Sequence, residues 1–231
     1  MTVTIHQPYY LPYLGYFHKI LNSDIFVILD DAQFEKGNFY NRNKINSNNG
    51  PILLTIPVSV KNHDDPINSV TIPSHKWQIK HFKTITQSYK KAPFFSDHEQ
   101  FLEDVYINNS WNSFSELTFF MMQYFLEYLE VEIPIFKSSK MQIASVKTQR
   151  LLDISLKVKA DTYLSGPSGR KYLDTKLFEA ANVKIIYQEF IHPEYNQIHP
   201  DFISHLTILD LLMNEGKKSK EIILSNQIDK V

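Results

Sequence analysis

The 231-residue chain has no cysteine. That excludes a disulfide framework, a Cys-ligated zinc or iron–sulfur centre, and a thiol nucleophile. It also lacks a surplus of either charge: 24 Lys and Arg stand against 25 Asp and Glu, a formal net charge of −1. A protein that tracks a phosphate backbone shows a basic surplus or stripe. The one dense basic patch, Lys217, Lys218 and Lys220, reads as a solvated helix end, so no nucleic-acid partner is expected. No apolar run approaches the ~18 residues of a membrane span; the greasiest stretch, residues 117–129, is broken by Gln123 and Glu127. The first five residues carry neither a basic n-region nor an apolar h-region. The expectation is a cytoplasmic protein without a membrane span.

What the chain does have is a large apolar and aromatic content. Hydrophobic residues make up 43%, with 16 Phe and 13 Tyr, which argues for a packed globular protein. At this length roughly 70–75% of the unfolded surface can be buried. Residues 2–5 alternate as a short strand, His6-Gln7-Pro8 ends it, and Leu14, Phe17, His18 and Leu21 follow at helical spacing. Residues 25–29 form a continuous β-rich run of the kind buried on both faces. A second unit follows the same rhythm: a helix over 148–158, a strand over 162–165, a turn at 166–169, a helix over 170–182 and a strand over 184–190. Such alternation predicts an α/β fold, a largely parallel sheet with flanking helices. Between the units, strands at 52–60 and 69–72 and helices at 76–89, 99–107 and 116–130 break the rhythm, the last behind a Ser113/Glu116 capping box. The spacing thus predicts one α/β domain over 1–231 with a strand and helical insertion at about 61–147. A further helix is predicted over 202–214, with Gly216 as its C-terminal cap.

Ligands of open α/β sheets bind beyond the carboxyl ends of the strands, where strand order reverses. That rule selects His6-Gln7, Asp30-Asp31-Ala32-Gln33, Ser165-Gly166-Pro167-Ser168-Gly169-Arg170 and Gln188. The glycines let backbone N–H groups approach a ligand, the next helix start adds partial positive charge, and Arg170 can grip an anion. Asp30 and Asp31 follow a buried strand and should point to opposite faces; a resident cofactor is not required, and Mg²⁺ is compatible with this pair. His6 suits a general base. Asn41, Arg42, Asn43 and Lys44 form a cluster of donors, and His192 belongs to a candidate pocket rim. Neither of the motifs H-E-x-x-H and G-x-S-x-G occurs.

Three segments carry a resemblance. Residues 5–17 (IHQPYYLPYLGYF), residues 29–34 (LDDAQF) with 41–45 (NRNKI), and residues 162–174 (TYLSGPSGRKYLD) resemble the WbqC-like proteins over essentially the whole chain. Tyr10 and Tyr13 stand where that family often carries Asn and Trp. The resemblance implies a bacterial protein of O-antigen or other surface-polysaccharide biosynthesis. Its expected partners are a nucleotide-linked sugar, often an amino sugar, and an acyl or aminoacyl donor or carrier protein. On this reading Gly166, Ser168, Gly169 and Arg170 would hold the diphosphate, Tyr9, Tyr10 and Tyr13 would stack on base or sugar, and His6 or Asp30 would take the amine proton. A nucleotidyl transferase-like enzyme and a non-catalytic binding protein are the alternatives.

Overall fold

Thr2–His6 (β1) and Ile25–Ile28 (β2), joined by helix α1 (Leu14–Leu21), pair in parallel, with Val3 opposite Ile25 and His6 opposite Ile28. They belong to a computed structural model that describes residues 1–35, 37 and 39–225. Next come an antiparallel hairpin, β3 (Arg42–Ile45) and β4 (Ile52–Thr55), and the helices α2 (Lys76–Tyr89), α3 (Glu99–Glu103) and α4 (Phe114–Tyr128). The chain then returns to the main sheet through β5 (Ile135–Lys137), α5 (Lys147–Lys157), β6 (Thr162–Ser165), α6 (Thr175–Ala180) and β7 (Lys184–Tyr187). Helices α7 (Ile208–Glu215) and α8 (Ser219–Leu224) complete it. The sheet order is β5-β2-β1-β6-β7 and every pairing is parallel. The chain runs outward from β1 in one direction, then crosses back and runs outward in the other. This is a doubly wound, Rossmann-like α/β arrangement, and its reversal lies between β1 and β6.

Alternation along the strands divides the core in two. Val3, Ile5, Ile25, Val27 and Tyr163 pack on one face with Leu151, Leu152, Ile154 and Phe178 of α5 and α6. Phe26 and Ile28 point the other way, into a larger cluster with Leu14, Phe17 and Ile20 of α1 and with the α2–α4 and α7 side chains. Helix α1 is buried from Leu14 to Ile20, because it lies between the sheet and the C-terminal helices. No helix among the described residues is long and apolar enough to cross a membrane.

Several element boundaries differ from the expected ones, each for a local reason. Residues 170–182 do not form one helix. A short 3-10 turn, Pro167–Lys171, comes first, and α6 starts only at Thr175, where the Asp174 carboxylate accepts from the Lys176 N–H at 3.1 Å. The last long helix starts at Ile208 instead of 202, since Thr207 Oγ1 accepts from Leu209 N–H at 3.1 Å and His205 has a positive φ of 59°. The strand at 52–60 stops at Thr55, leaving only an isolated bridge from Ser59 to Thr71. The helix expected at 99–107 changes to a π turn at Asp104–Asn108. The capping box forms, with Ser113 Oγ accepting from Glu116 N–H at 3.3 Å. Gly216 ends α7 at φ 55°, and a Cβ there would lie 2.6 Å from the Phe94 ring. The three-residue edge strand β5 was not expected. It places residues 135–137, inside the block assigned to an insertion, in the main sheet.

Candidate functional site

The crevice between the carboxyl ends of β1 and β6 opens into a cavity of about 880 Å³. His6 and Gln7 line it from β1, Gly166, Ser168, Gly169 and Arg170 from the loop after β6, and Gln188 and Glu189 from the end of β7. Helix α1 and the loop before it contribute Tyr13, Tyr16 and Lys19, and Asn43 reaches in from β3. Thus the reversal point of the sheet, selected from the strand ends, is where the molecule is hollow.

His6 Nδ1 lies 3.1 Å from the Gln7 carbonyl oxygen. A carbonyl can only accept, so Nδ1 carries the proton and the neutral ring keeps its Nε2 lone pair. Burial and the neighbouring Lys19 lower the pKa of His6 well below 6.5, which holds it neutral at physiological pH. Tyr9 and Tyr16 enclose the ring, with centroids at 4.9 and 4.6 Å, and Tyr16 Oη donates to the Gln7 carbonyl at 3.1 Å. Burial likewise pushes the tyrosines up, Tyr9 to about 12. Their hydroxyls remain neutral donors.

The loop after β6 differs from the anion cradle expected of it. Pro167 has no N–H, and the Gly169 N–H donates to the Gly166 carbonyl at 3.0 Å. The following 3-10 turn is too short to act as a dipole. Gly169 is required for packing, since a Cβ would sit 2.1 Å from Ser165 Oγ; at Gly166 a Cβ would meet nothing within 4 Å. Ser165 is buried, its hydroxyl donating to the Gly166 carbonyl at 3.1 Å, and it does not line the cavity. Arg170 stands at the mouth, its guanidinium 4.4 Å from the Tyr187 ring centroid and 3.2 Å from the Glu189 carboxylate.

Other expected site residues lie elsewhere. Asp30 is buried and accepts from Ser139 N–H at 3.0 Å and Ser139 Oγ at 2.7 Å, tying the end of β2 to the turn after β5. Asp31 accepts from Arg150 and from Ser138 Oγ, which also reaches Asp30. The two carboxylates therefore converge on one serine instead of pointing to opposite faces, and neither lines the cavity. Tyr10 is fully buried, bonded to His81 Nδ1 at 2.8 Å and Tyr106 Oη at 2.7 Å, and cannot stack on a ligand in the crevice. Gln33 donates to the His63 carbonyl at 3.1 Å on the surface. Residues 42–44 of the donor cluster lie in strand β3 and Asn41 precedes it: Asn41 donates to the Ile56 carbonyl at 2.7 Å, Arg42 to Gly37, and Lys44 is exposed. Only Asn43 lines the cavity, while donating to the Leu11 carbonyl at 2.6 Å. Gln188 donates to the Gly15 carbonyl at 2.7 Å and so fixes the start of α1. His192 bonds the Pro193 carbonyl at 2.9 Å and lies outside the lining.

Lys19 is the residue that sequence reasoning passed over. It is 3% exposed, and Nζ lies 3.5 Å from the Ile5 carbonyl. Burial lowers it from 10.5 to about 7. A lysine beside Phe17 and Ile20 reads as the wet side of an amphipathic helix. Only the continuous apolar character of residues 14–21 around it hinted at a helix enclosed on all sides.

Comparison with known proteins agrees with the three sequence segments. An uncharacterised protein of Mycobacterium tuberculosis (strain ATCC 25618 / H37Rv), Rv1507c, is 29% identical over 223 residues, 96% of each chain. The model of the WbqC-like protein family matches residues 7–222, which begin one residue after the end of β1 at His6, and the chain belongs to that family.

Proposed function

We propose that the protein is a transferase of bacterial surface-polysaccharide (O-antigen) biosynthesis. Its substrate is a nucleotide-activated amino sugar, and it moves an acyl or aminoacyl group onto the sugar amine. The observation that carries this reading is a neutral histidine, His6, with an unprotonated Nε2 at the reversal point of a doubly wound sheet. The ~880 Å³ crevice is of a size to take a ligand as large as a nucleotide sugar. Tyr9 and Tyr13 offer aromatic faces to a base or sugar ring, and Arg170 stands at the mouth, where an anionic group enters.

In the transfer step the sugar amine attacks the donor carbonyl carbon. The new N–C bond forms as the bond to the donor sulfur or oxygen breaks, and that atom leaves with its electron pair. The amine proton passes to His6 Nε2. The transfer is direct, with no acyl-enzyme formed, so sugar and donor meet in one ternary complex. Asp30 takes no part in this scheme because Ser138 and Ser139 hold it outside the cavity.

The test is mass-spectrometric detection of acylated product from UDP-, dTDP- and GDP-linked amino sugars with thioester and aminoacyl donors. His6→Gln should keep substrate affinity and lose roughly 10²–10⁴-fold in rate, the usual contribution of a general base. Ping-pong kinetics, or a His6→Gln enzyme as fast as wild type, would overturn the scheme. Tight binding without turnover would instead support a non-catalytic sugar-nucleotide carrier.

A further inference from the structure

Lys19 sits where an ammonium is poorly accommodated. It lines the cavity, is 3% exposed, and among the described residues the hydrogen bond of its Nζ, to the Ile5 carbonyl at 3.5 Å, is at the long limit for such a contact. Among the described residues it makes no ion pair. The cavity holds two acids, Glu35 and Glu189; Glu189 is paired with Arg170, and neither is ion-paired to Lys19. A buried cation without an anion is strongly unfavourable, and a residue that helps neither packing nor polar satisfaction marks a functional site.

We propose that Lys19 is the deep anion contact of this crevice, taking a phosphoryl or carboxylate oxygen of the ligand and picking up a proton from solvent as that group arrives. The inference deepens the functional reading above. It rests on the crevice being a ligand site and is independent of the transfer chemistry. It also moves the main anion contact from the loop after β6, where Pro167 has no N–H and that of Gly169 is bonded to the Gly166 carbonyl, to the floor formed by α1 and β1.

The proton uptake follows from the surroundings. With its pKa at about 7, Lys19 in the protein alone is about half protonated at pH 7; an anionic oxygen beside Nζ restores the full charge. His6 of β1 faces it and stays neutral throughout. The lining tyrosines, Tyr9 and Tyr13 before α1, Tyr16 on it, Tyr40 before β3, Tyr163 of β6 and Tyr172 after it, are all raised above 10. Arg170 and Glu189 pair at the mouth, Glu35 lies on the loop before β3, and His205 stacks on Tyr13 with centroids 6.2 Å apart.

The experiment is calorimetric titration of the full chain with two probe pairs: UDP against uridine for the phosphoryl source, and glucuronate against glucose for the carboxylate source. At least one anion of the two pairs should bind far more tightly than its neutral partner. Its affinity should fall about 50-fold from pH 7 to pH 9 as Lys19 loses its proton. In buffers of different ionisation enthalpy, wild type alone should show about 0.9 proton taken up per anion bound at pH 8. Lys19→Met should weaken the anion and abolish the pH slope; Lys19→Arg, which keeps the charge, should bind with little slope. UDP binding places a phosphoryl group on Lys19 and glucuronate binding a carboxylate. Anion binding without proton uptake, a slope retained in Lys19→Met, a slope lost instead in His205→Asn, or no preference for either anion would each overturn the proposal. Acyl transfer with no such anion linkage would leave the functional reading standing and remove this inference alone.

Discussion

Replacing Lys19 by methionine should make the protein more stable. The two side chains are both unbranched and of similar length, so methionine fills the same space without a charge. A lowering from 10.5 to about 7 corresponds to roughly 5 kcal/mol of destabilisation when the lysine is charged, at 1.36 kcal/mol per pH unit. Relaxation of the crevice reduces what is recovered, and exchanging buried charges for apolar groups typically gains about 1–4 kcal/mol. At about 2–4 °C per kcal/mol for a chain of this size, thermal unfolding at pH 7 should rise by roughly 2–16 °C. The pH dependence gives the sharper check. The unfolded lysine keeps its proton up to 10.5 and the folded one releases it near 7, so between these values the unfolded state binds more protons. Wild-type stability should therefore climb with pH in that window, by up to about 1.36 kcal/mol per unit. The gap between wild type and Lys19→Met should be largest at and below pH 7 and shrink towards pH 10. Chemical denaturation of both proteins from pH 6 to 9.5 measures it. A less stable methionine variant, or a gap constant across pH, would show that Lys19 is charged and solvated in the fold and refute the reasoning.

Two glycines three residues apart should behave differently. Gly169→Ala drives a Cβ onto Ser165 Oγ at 2.1 Å and should cost about 1–3 kcal/mol in denaturant unfolding. Gly166→Ala meets no protein atom within 4 Å and should leave stability within about 0.5 kcal/mol, so a loss of ligand affinity there would report on the crevice itself. Tyr89→Phe removes one of two tyrosine hydroxyls, both at 2.7 Å, that donate to the buried Asp210 carboxylate. It should cost about 1–3 kcal/mol by thermal or denaturant unfolding, with no change in ligand binding.

The βαβ rhythm at each end was legible because it rests on periodicity, which is local. Strand β6 was read at its observed bounds, and β1 and β2 to within a residue. Strand β5 was not legible, being three residues long at a partly exposed edge. Features set by neighbours in space were also missed. Asp30 and Asp31 looked like open carboxylates, but their partners come from more than a hundred residues away. The donors at 41–44 stood together as one cluster in the sequence, yet pairing with β4 makes residues 42–44 a strand that spreads them over both faces. Lys19 looked solvent-facing because α1 taken alone has a wet side; in the fold that side faces the crevice, with Nζ 3.5 Å from the Ile5 carbonyl of β1. The location of the crevice was readable from the strand ends alone, because it depends on topology more than on any one side chain.

The same topology bears on how the chain is made. Strand β1 is synthesised before the other strands of its sheet and is the middle strand of the finished sheet. Its partner β2 follows within about twenty residues, but β6 emerges some 160 residues later, as the hydrogen bond from Thr4 Oγ1 to the Leu164 carbonyl illustrates. Joining ends across the longer span costs about 2 kcal/mol more in chain entropy than across the shorter one. On the ribosome, then, one edge of an already formed β1-α1-β2 unit stays unpaired while most of the protein is still being translated, and an unpaired edge is a template for other chains. Until β6 arrives, Val3 and Ile5 also wait for the side chains that cover them from α5 and α6. Truncations that end before residue 162 should accordingly aggregate on expression, whereas the full chain has every edge of its oldest strand paired.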